Sequence, residues 1–177
     1  MKVTIICVGK VKESFYREAV AEYQKRLGKY CRIELVEVAD ERTPDGAGEA
    51  LENQIKEKEA KRIIDVLSHY KDLPHNQDVR VSGKSRENVF VCTLEIAGKR
   101  FTSEGMARWM EKLTIGGTSP IVFVIGGSLG LHESVCRLAD MSLSFSDMTF
   151  PHQLMRVILL EQIYRSFRII SGEPYHK

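Results

Sequence analysis

The chain has 177 residues, 43% of them hydrophobic and 28% charged, with a formal net charge of +2. Those proportions are those of an ordinary globular protein with a core of its own, and no repeat, low-complexity tract or interdomain linker interrupts them. A charge so near zero excludes nucleic-acid binding driven by bulk charge, so any basic surface has to be local.

The length fits a single domain over residues 1–177, with a polar insertion or long loop at 71–88. The opening run VTIICVG is too short to span a bilayer and has no cleavage pattern behind it, so no membrane association is expected. Cys7, Cys31, Cys92 and Cys136 form no CxxC pair, and three lie in apolar runs. Reduced, buried thiols and a cytoplasmic location follow.

In chain order, Lys2 to Val8 is a β-branched run that predicts a central strand, closed by Gly9. Glu13 to Tyr30 predicts a helix, with Phe15, Ala19, Tyr23 and Leu27 on one face. Arg32 to Val38 alternates polar and apolar residues like a half-buried strand. After a loop at 43–48, Glu49 to Tyr70 predicts a long charged helix with Leu51, Ile55, Ile63, Ile64 and Leu67 as its apolar stripe. Lys71 to Asn88 breaks the rhythm with Pro74, Gly83 and mixed polar residues, as in a long loop or small hairpin.

Val89 to Ile96 predicts the next strand, followed by a turn at Gly98-Lys99. Ser103 predicts the N-cap of a helix to Leu113 that packs through Met106, Trp109 and Met110. Pro120 to Ile125 predicts a buried strand, 131–139 a short helix, and Met141 to Phe145 a last short strand. Thr149 is the candidate N-cap of the final helix, with Pro151 in its first turn. Leu154, Ile158, Ile163 and Phe167 form its expected inner face, and Gly172 and Pro174 end it. Strands alternating with helices predict an α/β fold, a mostly parallel sheet covered on both faces.

Open α/β sheets carry ligands at the carboxyl ends of their strands. Three such ends stand out: Thr93 to Gly98, Ile125 to Gly130, and Phe145 to Pro151. The GGSLG element lacks the Lys-Ser/Thr of a P-loop and the spacing of a dinucleotide fingerprint. It fits an ordinary tight turn equally with a backbone that lets a flat ligand approach. His152 fits a local backbone hydrogen bond as well as it fits acid–base chemistry. Arg156, Arg165 and Arg168 fit a solvated stripe or a set of phosphate contacts. No zinc, EF-hand or HExxH spacing occurs, so no metal is expected.

The strings VIGGSLGL, LSFSxMTFPHQLMRVILLEQIYRSFRI (x being Asp147) and GEPYHK resemble the RlmH family of SPOUT-class methyltransferases. VTIICVGKVKE, AEYQKRL, IELVEVADER and LEIAGKRFTSE resemble it too, so the likeness runs over nearly the whole chain. It implies a C-terminal trefoil knot, which general folding rules would never propose. It also implies a homodimer, S-adenosylmethionine as cofactor with S-adenosylhomocysteine as product, and 23S rRNA of the assembled ribosome as substrate. The implied reaction is methylation of N3 of a pseudouridine in a subunit-interface stem-loop.

By the same resemblance, Leu94, Gly126, Gly127 and the loop of Phe145, Ser146, Asp147, Met148, Thr149, Phe150 and Pro151 form the cofactor site. His152, Arg165, Tyr175, His176 and Lys177 match the family's candidates for substrate binding and proton handling, with the base unassigned among them. Two features depart from the family pattern: the longer, more polar segment at 71–88, and Asp147 where a basic or small residue is expected. Two alternatives remain at this point: a SPOUT enzyme acting on another RNA such as tRNA, and a ribosome- or RNA-binding protein without transfer activity.

Overall fold

A computed structural model of the chain describes residues 1–70 and 88–174. Of the segment expected to form a long loop, all but Asn88 lies outside the described residues, as do Tyr175, His176 and Lys177. Five strands alternate with helices: β1 (Lys2–Val8), α1 (Ser14–Leu27), β2 (Arg32–Val38), α2 (Glu49–Ser68) and β3 (Phe90–Arg100) come first. Then follow α3 (Ser103–Ile115), β4 (Ile121–Ile125), α4 (Glu133–Cys136), β5 (Met141–Ser144) and α5 (His152–Ile170). The sheet order is β2-β1-β4-β3-β5, and the four pairings β1–β2, β1–β4, β3–β4 and β3–β5 are all parallel.

The two central strands explain the architecture. Side chains of a strand alternate between faces, and both faces of a parallel sheet are covered. Val3, Ile5, Cys7, Ile121, Phe123 and Ile125 therefore point into one core with α1, α3 and α5, while Ile6, Val8, Val122 and Val124 point into a second core with α2. Burial raises the thiols of Cys7 and Cys92 to about 12, so both are inert packing groups at neutral pH.

Several local expectations change. α1 ends at Leu27, capped by Gly28, and Phe15 is 60% exposed, so its first turn does not join the core. In α2, Leu51 is exposed and Glu59 takes a buried position instead. The N-cap of α3 is Thr102, whose Oγ1 accepts from the Gly105 N–H at 3.1 Å, and Ser103 is the first helical residue. The N-cap of α5 is Pro151 rather than Thr149, and its carbonyl accepts from Met155 N–H at 3.0 Å.

The inner face of α5 also differs. Ile163 and Phe167 are buried as expected, but Leu154 and Ile158 are only half-buried; Arg156, Leu159 and Leu160 take the core positions. At about 100° per residue, Leu154 and Ile158 lie on the side of the helix opposite Arg156.

The expected turn at Gly98-Lys99 is instead strand. Leu143 of β5 has two partners on β3, Leu94 and Lys99, and the register breaks between them. The intervening stretch passes over the β5 backbone. A Cβ on Gly98 would stand 2.6 Å from the Leu143 carbonyl carbon and 2.8 Å from Leu143 N, so only glycine fits there.

Arg156 joins the end of this arrangement to its beginning. It is fully buried, donates from Nη2 to the carbonyls of Val8 (2.8 Å) and Gly9 (2.7 Å), and from Nη1 to Glu37 Oε1 (2.7 Å). One guanidinium thus holds α5 against the carboxyl ends of β1 and β2. Replacing Arg156 with Met is expected to destabilise the chain by about 3–5 kcal/mol, because buried acceptors lose a charged donor. Urea denaturation checks this through a lower midpoint at unchanged slope.

Candidate active site

The carboxyl ends of β3, β4 and β5 close around a cavity of about 350 Å³, within the range of small-ligand sites of roughly 300–1,000 Å³. β3 contributes Leu94, Glu95 and Ile96. The loop after β4 contributes the run from Gly126 to Gly130. The third wall runs from Leu143 to Phe150, joined by His152 and Met155 of α5. All three strand ends singled out in the sequence meet here.

Of the residues expected at a cofactor site, Leu94, Gly126, Gly127, Phe145, Ser146, Met148, Thr149 and Phe150 stand on the lining; Asp147 and Pro151 do not. Asp147 forms an exposed ion pair with Arg100 on β3. Its unexpected charge is therefore neutralised by a partner that lies 47 residues away in sequence. Glu95, Ile96, Ser128, Leu129 and Gly130 also line the cavity; they lie within the strand ends singled out in the sequence, although none was expected individually at the cofactor site. Ser144, the last residue of β5, lies outside those ends and was missed.

Gly126 matters for a different reason from ligand approach. A Cβ there would stand 2.7 Å from the Gly130 carbonyl carbon and 2.8 Å from its oxygen. The loop folds back on itself, with Gly130 N–H donating to the Gly127 carbonyl at 3.1 Å. At Gly127 a Cβ would meet a carboxylate oxygen of buried Glu59 at 2.9 Å and Val8 Cγ1 at 3.1 Å. Burial raises the pKa of that Glu59 carboxyl, against the backbone N–H of Glu41 that it accepts at 3.0 Å.

Glu95 is held as firmly. Its Oε1 accepts from Thr93 Oγ1 at 2.6 Å and from Ser142 Oγ at 2.7 Å, two hydroxyls on adjacent strands. A further side-chain hydrogen bond links it to Cys136.

His152 sits where α5 begins, beside Gly9, whose Cβ would be 3.5 Å from His152 Nε2. Burial lowers its pKa, the Arg156 charge adds to the effect, and Asp40 opposes it. The imidazole is thus neutral at physiological pH and free to accept a proton.

Arg165 is not brought into the cavity. It lies 13 residues beyond His152 on α5, about 20 Å along the axis at 1.5 Å per residue. It shares the outward face with Leu154 and Ile158, and its Nη2 donates to Glu161 Oε1 at 2.6 Å. Arg168 is held by Glu173 at 3.0 Å and donates to the Pro174 carbonyl at 3.2 Å. The three arginines that looked equivalent in sequence thus have three separate environments.

Two outcomes follow. Because the folded pKa of His152 lies below its ordinary 6.5, the folded state binds fewer protons than the unfolded state as pH falls past that value. Stability is then lost on acidification below pH 6.5, and His152→Gln is expected to flatten that part of the melting-temperature profile. Gly126→Ala is expected to lower the melting temperature as well as ligand affinity, because the clash is with the loop's own backbone; a change in affinity alone would place the effect on the ligand.

The chain is similar to known proteins over its full length. A family model described as a predicted SPOUT methyltransferase matches residues 1–176. The ribosomal RNA large subunit methyltransferase H of Bifidobacterium adolescentis is 52% identical over 177 residues, which covers 100% of both chains. The protein of that name from Clostridium beijerinckii is 49% identical, again over 100% of both chains. A putative ribosomal RNA large subunit methyltransferase H from Methanococcus maripaludis is 51% identical over the same full extent.

Proposed function

The chain belongs to the SPOUT methyltransferase family, and on that premise we propose that it methylates 23S rRNA in the large ribosomal subunit. The carrying observation is the cavity where the three strand ends meet, in a chain alike over its full length to enzymes named for large-subunit rRNA methylation. Methyltransferases of this family take their methyl group from S-adenosylmethionine.

The residues present fit that cofactor. Leu94, Leu143 and Met155 give apolar walls for an adenine ring, and the glycine-bearing loop from Gly126 to Gly130 exposes backbone donors and acceptors at close range. When bound, the cofactor supplies an electrophilic methyl group. The protein has to align that methyl with the attacking atom and take up the proton that the attack releases. We assign His152 to proton handling, since its imidazole is held neutral at the edge of the cavity. Arg165, Tyr175, His176 and Lys177 are assigned to substrate contact.

The finer proposal is N3 of a pseudouridine at the subunit interface, modified in the assembled ribosome, with the enzyme acting in the cytoplasm. Among the described residues no helix is long and apolar enough to cross a membrane. The passage of 95–98 over β5 agrees with a knotted chain. A homodimer is part of the proposal. The half-buried Leu154 and Ile158 on the outward face of α5, and Ile96 (51% exposed) and Met148 (72%) beside the cavity, supply apolar surface for a second copy. The outward placement of Arg165 then directs it to the partner's substrate.

Mass spectrometry of rRNA nucleosides tests the proposal. A strain without the gene is expected to lack one methylated pseudouridine in 23S rRNA, and restoring the gene returns it. A methylated nucleoside lost from tRNA alone overturns the substrate. Deleting residues 175–177 is expected to abolish restoration while leaving cofactor affinity unchanged by calorimetry.

A further inference from the structure

Among the described residues lining the cavity, two are ionisable, Glu95 and His152. His152 is held neutral by burial and by the neighbouring Arg156 charge. Other ionisable groups nearby stand outside the lining: Asp147 pairs with Arg100, Arg156 pairs with Glu37, and the buried Glu59 carboxyl lies behind Gly127. Asp40 approaches His152 from the side of Gly9, also outside the lining. Among the described residues of the lining, Glu95 is therefore the one acidic side chain.

The carboxylate is also preorganised. Thr93 is fully buried, and its hydroxyl and that of Ser142 converge on the same Glu95 oxygen. Two short hydroxyl hydrogen bonds to one oxygen fix the orientation of the group. A charge fixed in this way in a partly enclosed site acts on a ligand's charge more strongly than it would in open water.

We propose that Glu95 is a specificity-determining residue that makes this cavity prefer the cationic sulfonium cofactor to its uncharged thioether product. The inference rests on the reading of the cavity as the S-adenosylmethionine site. S-adenosylmethionine and S-adenosylhomocysteine share adenosine, ammonium and carboxylate groups. They differ by one methyl and by the positive charge on sulfur, which is lost when the methyl leaves. Shape alone separates the two weakly, since a single methyl contributes little in an apolar pocket. A fixed carboxylate adds a charge difference, so loss of the methyl also weakens retention of the product and eases its release. Thr93 and Ser142 are positioning residues in this account, acting through the orientation of Glu95.

Calorimetry on the full chain with three probes tests this. The probes are S-adenosylmethionine, S-adenosylhomocysteine, and an analogue with a protonated amine in place of the sulfonium centre. Glu95→Gln keeps the size of the side chain and an acceptor for both hydroxyls. Its affinity for the two cationic probes is expected to fall about tenfold, a typical scale for one partly screened charge. Its affinity for S-adenosylhomocysteine is expected to change less than about twofold. Equal losses for all three probes would mean that Glu95 bonds a shared group such as the ribose, and would overturn the inference; so would no loss for any. Thr93→Val gives an independent arm, since disorienting the carboxylate is expected to shift the affinity ratio in the same direction. If the unmodified chain binds none of the probes, the assignment of the cavity itself fails, which is a separate result from an unchanged ratio in a chain that binds.

Discussion

A single buried guanidinium sets the geometry on which the site depends. Arg156 comes from the last helix, yet its three hydrogen bonds end on Val8 and Gly9 after the first strand and on Glu37 in the second. Leaving the buried Val8 and Gly9 carbonyls without this donor is costly, so α5 has one stable seat against the sheet. That seat places His152, one turn earlier, beside Gly9 and at the cavity edge. It also puts a permanent positive charge near that imidazole, which helps keep it neutral. The fold and the protonation of His152 are therefore coupled through one side chain, Arg156.

A second constraint is steric. The stretch between Leu94 and Lys99 crosses the β5 backbone at a point where a Cβ does not fit. That close crossing brings Leu94, Glu95 and Ile96 against the segment that follows β5, and so builds one wall of the cavity from two parts of the chain about 50 residues apart. The glycine-bearing loop after β4 supplies the facing wall. Its own backbone contact between Gly126 and Gly130 sets its shape. Glycine thus serves both walls through backbone crowding.

Much of the fold was legible because its signals are local. The strands β1 and β2 occur with the predicted bounds, since alternation and β-branched runs need only neighbouring residues. The three strand ends that meet at the cavity were also visible as interruptions after apolar runs. What escaped depends on tertiary partners. Arg156 looked like one of three equivalent arginines, because nothing nearby in sequence reveals that the Val8 and Gly9 carbonyls await it. Gly98 looked like a turn, because a glycine that permits a backbone crossing and one that permits a turn are the same letter. Thr102 displaced Ser103 as the cap of α3, a shift of one residue between two good cap formers. Asp147 looked out of place until Arg100 was found beside it. The cofactor and the substrate class came from resemblance, since no spacing rule identifies this kind of site.

The central claim is that this cavity delivers a methyl group to large-subunit rRNA. Its most direct test is transfer of isotopically labelled methyl from S-adenosylmethionine, catalysed by the purified chain, to ribosomes from a strain lacking the gene. The account predicts label in a single pseudouridine of 23S rRNA, at a yield approaching one methyl per ribosome. Label confined to tRNA, or no transfer by a chain that binds the cofactor, would contradict it.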